Sequence, residues 1–157
     1  MLSAKQLSYF AKGASARRFK TPYMLTDLRI IQEKCQTFRE QFPHVKLFYA
    51  VKCFDDAEVI STLAPLVDGF DVASVKEIEL LLTAGVSPKR ITFSNPVKSE
   101  DAIRKANELG ARKLAFQSYN ELIKITEWAP GSEVYVRVRM HDSQGAISFS
   151  SKFGYAR

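Results

Sequence analysis

One lysine, Lys52, directly follows a run of residues with β-strand character, Val45 to Val51. Phe48, Ala50 and Lys52 have the same parity along the chain, so we expect their three side chains on the inner face of a sheet. An ammonium group is costly to bury unless it is paired or neutralised. A lysine in that setting is the residue type that forms a Schiff base with an aldehyde. Spacing alone also allows, and slightly favours, a lysine that reaches solvent at a strand end.

Acidic and hydroxyl side chains stand at the end of the next predicted strand. Asp71 lies in Gly69 to Val72, where its carboxylate could pair with a cation or hold a polar group of a cofactor. A plainer reading makes it a cap for the helix that begins at Val75, close to Ser74. Glu77 fits the acidic first turn of that helix, which the helix dipole favours. Only the surroundings of these residues can give them a chemical role.

Two arginines, Arg137 and Arg139, alternate with valines along the fifth predicted strand. Alternation places both guanidinium groups on one face of the strand, opposite the valines. Two arginines on one face require an anion or a carboxylate as partner. The sequence leaves open whether a ligand or an internal salt bridge supplies it.

The elements that position these residues alternate between short strands and longer helices. Predicted strands are Val45–Val51, Gly69–Val72, Arg90–Phe93, Lys113–Phe116 and Glu133–Met140; predicted helices are Asp27–Gln41, Ala57–Leu66, Val75–Ala84, Ser99–Leu109 and Tyr119–Trp128. This α/β order predicts a parallel sheet, either doubly wound or the first five βα units of a (β/α)8 barrel. No GxGxxG follows the first strand, which favours the partial TIM barrel.

Composition narrows the class of protein. The chain has 157 residues, is 46% hydrophobic, and carries a formal net charge of +6. Its basic residues are scattered, which argues against nucleic acid as a partner. No apolar run could span a membrane and the first residues lack a secretory signal, so we predict a cytoplasmic protein. Cys35 and Cys53 have no metal-ligand spacing, and no metal is predicted.

Four ordered segments together resemble the ornithine/lysine/diaminopimelate decarboxylase family, and the ornithine branch in particular. They are Phe48–Cys53, Gly69–Ser74 followed by Glu77–Glu79, Ser94–Lys98 and Ser151–Gly154. The resemblance implies an alanine-racemase-like barrel with pyridoxal 5'-phosphate as the cofactor. It also implies a lyase that removes the carboxyl group of a basic amino acid, most simply ornithine to putrescine in polyamine biosynthesis.

The same resemblance implies roles for individual residues. Lys52 would hold the cofactor as a Schiff base and act in catalysis, Asp71 would lie near the cofactor and the substrate amine, and Arg137 would contact the cofactor. Ser74 and Glu77 would support the loop after the second strand. A family lysine at the dimer interface corresponds to Lys152, which implies a homodimer.

The resemblance also divides the chain and opens alternatives. Residues 1–26 would be a lead-in that belongs to the β-domain of full-length relatives, and residues 27–157 the N-terminal part of the cofactor-binding barrel. The last barrel strands, the glycine-rich phosphate loop and the C-terminal β-domain are expected to be missing, so the chain would be an incomplete enzyme. Gln117, where the family usually has aspartate, puts a charge pair with Lys152 in doubt. Alternatives are a noncatalytic homologue that binds the cofactor or a protein partner, and a chain that folds with a complementary one.

Overall fold

A computed structural model describes residues 3–15, 22 and 24–139 of the chain. Helices and strands alternate along this part of the chain. In chain order the elements are α1 (Ala4–Ser15), α2 (Leu28–Gln41), β1 (Phe48–Ala50), α3 (Ala57–Leu63), β2 (Gly69–Val72), α4 (Val75–Thr83), β3 (Ile91–Phe93), α5 (Glu100–Glu108), β4 (Lys113–Phe116), α6 (Tyr119–Trp128) and β5 (Glu133–Val136). Two single 3₁₀ turns, Val51–Cys53 and Pro88–Arg90, follow β1 and precede β3.

The five strands form one parallel sheet in the sequential order β1-β2-β3-β4-β5. A doubly wound sheet reverses its strand order part-way and so receives helices on both faces. Sequential order with one helix between successive strands is the arrangement of a barrel wall. The sheet is not closed across the described residues, and the prediction of a partial (β/α)8 barrel is confirmed.

The hydrophobic core lies on one face of this sheet, under helices α2 to α6. Strand residues of one parity, among them Phe70, Ile91 and Leu114, are completely buried there. Residues of the other parity point to the opposite face, where Phe48 is 40% exposed and Asp71 is half-buried. The second face is the one that a closed barrel turns inward, so it is the face on which buried chemistry would be built.

Side-chain caps fix where the helices begin. Asp27, Asp56, Ser74, Ser99 and Ser118 each accept a hydrogen bond from a backbone N–H of the first helical turn. Such a cap satisfies one of the donors that a helix start leaves unpaired. The predicted starts of α2 to α6 therefore agree with the structure within one residue.

The bounds of the first strand differ from those predicted. The first strand is Phe48–Ala50 rather than 45–51, because its pairing with β2 extends only from Phe48 opposite Gly69 to Ala50 opposite Asp71. The predicted lead-in contains helix α1, which begins with a reciprocal pair in which Ser3 N–H donates to Gln6 Oε1 and Gln6 N–H donates to Ser3 Oγ. That pair is a capping box, written in the sequence as S-x-x-Q.

The end of the fifth strand also differs from the prediction, which extended it to Met140. β5 ends at Val136, and only an isolated bridge at Val138 follows within the described residues. Val134 and Val136 pair with Leu114 and Phe116, so they share the helix-side face, as the alternation predicted. Both valines remain exposed because no helix of the described part covers this edge of the sheet.

Candidate functional site

Lys52 lies in the 3₁₀ turn Val51–Cys53, directly beyond β1. Two contacts set this turn: Phe54 N–H donates to Val51 O at 3.1 Å, and the Tyr49 hydroxyl donates to Phe54 O at 3.0 Å. Val51 is completely buried, whereas Lys52 is exposed. The chain leaves the regular strand at Ala50, so strand parity alone does not place the Lys52 side chain.

Asp71 occupies the third position of β2. It lies on the face of the sheet opposite the helices, which is the open face of this unclosed barrel. Its Cα partners are Ala50 in β1 and Thr92 in β3, so it lies one strand away from the end of β1 that leads into the Lys52 turn. Within the described part of the chain, the Oδ1 atom of Asp71 is buried and has no hydrogen-bond partner. A buried polar atom without a partner is costly, and native proteins keep one where a ligand or another group completes it.

The loop after β2 is fastened by the first turn of α4. Ser74 Oγ accepts from Glu77 N–H at 3.3 Å, and Glu77 Oε2 accepts from Ala73 N–H at 2.7 Å. Ser74, not Asp71, caps the helix, so the carboxylate of Asp71 is left for another contact. The side chains of Ser74 and Glu77 therefore hold this loop in place.

The loop after β3 connects this region to β5. Ser94 N–H donates to Val72 O at 2.9 Å, and Asn95 Nδ2 donates to Ala73 O at 3.4 Å. On the other side, Arg137 Nη1 donates to Ser94 O at 3.5 Å. The β3 loop therefore lies between the residues that follow β2 and the arginine that follows β5.

Arg137 is placed by the sheet itself. Its N–H donates to Phe116 O at 2.8 Å, which extends the β4–β5 ladder by one bond. Its parity is that of Tyr135, the partner of Ala115 on the open face. Arg139 is exposed beyond the strand. The structure thus brings Asp71, Arg137 and the Lys52 turn to the C-terminal ends of the strands. Asp71 and Arg137 also lie on the same face of the sheet.

A buried ion pair that sequence reasoning did not single out lies behind the β3 loop. Lys98 Nζ lies 2.9 Å from Glu121 Oε1, and the two side chains are 0% and 3% exposed. Lys124 Nζ lies 2.7 Å from Glu121 Oε2 and also donates to Lys98 O. The readable signal was an S-x-x-E capping pattern at Ser118, in which the glutamate carboxylate bonds to another loop instead of reaching back to the cap.

The pKa values of both Glu121 and Lys98 are lowered, which favours the charged form of the glutamate but not that of the lysine. Burial lowers the pKa of the Lys98 ammonium, and contact with Glu121 only partly opposes that effect. For Glu121, burial raises the pKa, but the hydrogen bonds from Lys124 and Lys98 outweigh it and the net shift is downward. The carboxylate is therefore firmly ionised at neutral pH.

One predicted residue cannot be placed in this site. Lys152, assigned to a dimer interface, lies outside the described residues. Within residues 3–15, 22 and 24–139, no group of three or more His, Cys, Asp or Glu side chains could hold a metal ion. No helix among the same residues is long and apolar enough to cross a membrane.

Most of the chain matches one protein family. Residues 28–157 match the family model described as pyridoxal-dependent decarboxylase, pyridoxal binding domain. The chain belongs to this family. The sequence resemblance is confirmed, and pyridoxal phosphate, predicted as the cofactor, is the cofactor of the pyridoxal-dependent decarboxylases to which the chain belongs.

Curated relatives match most of the chain. A lysine/ornithine decarboxylase of Selenomonas ruminantium is 32% identical over 98% of this chain and 38% of its own length. The ornithine decarboxylase of Neurospora crassa is 37% identical over 84% of this chain and 27% of its own. Antizyme inhibitor 2 of Xenopus laevis is also 37% identical, over 84% of this chain and 29% of its own. The chain therefore spans about a third of the length of these relatives.

Solved decarboxylase structures agree in fold. Lysine decarboxylase of Selenomonas ruminantium superposes with a TM-score of 0.86 at 32% identity, covering 99% of this chain and 39% of that one. Arginine decarboxylase of Paramecium bursaria Chlorella virus gives a TM-score of 0.85 at 30% identity, covering 94% and 41%. Matching structures include complexes with pyridoxal phosphate.

Proposed function

We propose that this chain binds pyridoxal 5'-phosphate, with Lys52 as the point of covalent attachment and Asp71 and Arg137 as polar contacts. The observation that carries the proposal is the buried Asp71 Oδ1 atom, which has no partner in the described part of the chain. It lies on the open face of the sheet, one strand from the exposed lysine that follows β1. The residues present therefore fit the cofactor of the family.

Each residue has a task that its surroundings support. Lys52 is exposed, so its amine is accessible to an aldehyde, and the hydrogen-bonded turn around it limits where that amine can go. The Asp71 carboxylate has an oxygen without a partner, which can accept a hydrogen bond from a protonated amine. Arg137 supplies a fixed cation at the same edge. Ser74 and Glu77 keep the β2 loop in place and so act through Asp71.

The chain covers about a third of the length of its relatives. The whole protein is proposed to decarboxylate a basic amino acid. When bound, the cofactor supplies an electron sink for the electron pair left as carbon dioxide departs. Ornithine, giving putrescine, is the proposed substrate, because the segment Phe48–Cys53 resembles the ornithine branch. Relatives named for lysine and arginine make those the competing substrates.

A second candidate is a noncatalytic homologue that binds the cofactor or a protein partner. Similarity to an antizyme inhibitor at 37% identity favours it. The exposed Lys52, which an attached cofactor requires, argues only against a homologue that binds a protein partner without cofactor. Release of carbon dioxide from labelled ornithine by the protein that carries this chain separates the two. The noncatalytic homologue gives none even when Lys52 takes up the cofactor.

The first experiment is borohydride reduction of the purified chain with pyridoxal phosphate, followed by peptide mass mapping. Lys89 offers a matched control, because it too is an exposed lysine at the centre of a 3₁₀ turn, but at the opposite end of the strands. We expect the phosphopyridoxyl group on Lys52, loss of the visible absorbance band in Lys52→Ala, and an unchanged band in Lys89→Ala. Equal labelling of the exposed lysines would overturn the proposal.

Three further predictions rest on the sequence. Residues 1–26 are proposed to belong with the β-domain of a longer protein, and residues 27–157 with its barrel. The protein is proposed to form a homodimer with Lys152 at the interface. A cytoplasmic location likewise stays a prediction.

A further inference from the structure

Lys98 is a buried cation whose three ammonium hydrogens all have acceptors. Its Nζ donates to Ala115 O at 2.6 Å and to Asn95 O at 3.0 Å, and it lies 2.9 Å from Glu121 Oε1. The Phe93 ring centroid is 5.7 Å away, which adds a cation–π contact. A fully satisfied cation in the interior holds its neighbours in one geometry, because any shift of an acceptor leaves charge without compensation.

The acceptors connect the β3 loop and the last residues of β4 beyond the point where β3 and β4 pair. Pairing of β3 with β4 ends at Phe93 opposite Leu114. The Ala115 carbonyl lies just beyond that last pair and accepts from the Lys98 ammonium. Lys98 thus extends the connection between the strands past the end of their ladder, and it does so through the β3 loop.

From that loop the contacts continue to the proposed cofactor residues. Asn95, whose carbonyl oxygen Lys98 holds, donates through its side chain to Ala73 O, two residues beyond Asp71. Its neighbour Ser94 donates to Val72 O and accepts from Arg137. The loop therefore separates Asp71 from Arg137 and sets the spacing between them.

We propose that Lys98, held by Glu121, is a positioning residue for the cofactor site: it fixes the β3 loop and thereby the relative placement of Asp71 and Arg137. This inference rests on the proposed function. Lys98 Nζ bonds to the Asn95 and Ala115 carbonyl oxygens and to Glu121, and so acts on the loop. Its effect is transmitted by the Asn95 side chain and the Ser94 backbone.

Arg90 provides a control with nearly the same contacts at the other end of the strands. Its guanidinium donates to three backbone carbonyls, those of Ala64, Val67 and Asp68, and lies 5.8 Å from the Phe70 ring centroid. Arg90 precedes β3, whereas Lys98 follows it. Loss of either clamp costs stability, but only Lys98 contacts the β3 loop.

The test compares Lys98→Met with Arg90→Met and with wild type in the full 157-residue chain. Cofactor affinity is measured from the visible band that Lys52→Ala lacks. Amide hydrogen exchange at Ser94 and Val97 is measured without cofactor. We expect Lys98→Met to speed exchange at both amides and to weaken cofactor binding by roughly tenfold, since loss of a group that orients the direct contacts of a bound metal costs about 10- to 100-fold in affinity. Arg90→Met is expected to leave both readouts near wild type.

A milder variant covers the case in which Lys98→Met does not fold. Glu121→Gln keeps the shape and one acceptor oxygen, so it is expected to fold and to show a smaller change of the same kind in both readouts. Wild-type exchange at Ser94 and Val97 in Lys98→Met, or in Glu121→Gln if the former is unfolded, would overturn the positioning role. So would unchanged affinity with faster exchange. Failure of wild type itself to take up the cofactor would instead refute the proposed function, and the role toward the cofactor with it.

Discussion

Gly69 marks a place where β2 has no room for a side chain. A Cβ atom at this position would lie 2.3 Å from Cε1 of the Phe48 ring and 2.7 Å from the backbone oxygen of Arg90. Both distances are far below van der Waals contact. The Gly69→Ala variant must therefore displace the ring, the carbonyl or both.

The two obstacles differ in how easily they move. Phe48 is 40% exposed on the open face of the sheet, so its ring can turn away. The Arg90 carbonyl belongs to a residue at the start of β3 that is fastened by its own guanidinium, so it is fixed. Overpacking of this kind costs about 1–3 kcal/mol. Against that, alanine reduces the entropy of the unfolded chain by about 0.4–1 kcal/mol. We expect Gly69→Ala to lower the free energy of unfolding by about 1–2 kcal/mol.

Urea unfolding followed by far-UV circular dichroism measures this loss, and a double-mutant cycle apportions it. Because the carbonyl obstacle remains without the ring, Phe48→Ala/Gly69→Ala should stay about 1 kcal/mol less stable than Phe48→Ala. Gly85→Ala is the control: φ there is +78° and nothing lies within 4 Å, so only backbone strain of about 1–2 kcal/mol is expected, with no coupling to Phe48. The reasoning fails if the double variant matches Phe48→Ala in stability.

Two further predictions concern pH and capping. Asp68 accepts from Leu47 N–H at 2.7 Å and from Arg39 at 2.9 Å, and these contacts, the first above all, hold the pKa of its carboxyl below the ordinary value. A lowered folded-state pKa means stability that is present above the unfolded pKa and lost as pH falls through the folded one. Urea midpoints of wild type should therefore drop more between pH 5 and pH 3 than those of Asp68→Asn, and parallel curves would contradict this. Ser118→Ala should cost about 1 kcal/mol by removing the acceptor for Glu121 N–H, whereas Ser118→Asp should not; equal urea midpoints for the two variants would refute the cap.

Sequence reasoning succeeded where the signal was local. Strand β4 and helix α6 have the predicted bounds, because Ser118 and the turn at Gly131 punctuate an unambiguous pattern. Helix caps are read from a few adjacent residues, and so is the switch from strand to helix periodicity. The barrel rather than the doubly wound sheet also followed from a local feature, the absence of a glycine-rich turn after β1.

Strand alternation could not place Lys52, for a different reason. Continuing the strand to Val51 would extend its alternation and bury the lysine. The chain instead turns at Ala50, and a hydroxyl on Tyr49 fastens that turn to Phe54. Alternation along one strand cannot reveal where its partner stops pairing, since the register with β2 is a property of two strands.

The buried pair behind the site shows the same limit at longer range. Lys98 and Glu121 are 23 residues apart in sequence, so no pattern within a helix or strand connects them. Each has a plausible local role, the lysine as a solvated residue before a helix and the glutamate as half of a capping box. The glutamate at the matching place in α4, Glu77, does bond to its own loop. The same S-x-x-E pattern thus fixes the adjacent loop at Glu77 and a distant loop at Glu121. The difference comes from Lys98, which the order of the strands places beside Glu121.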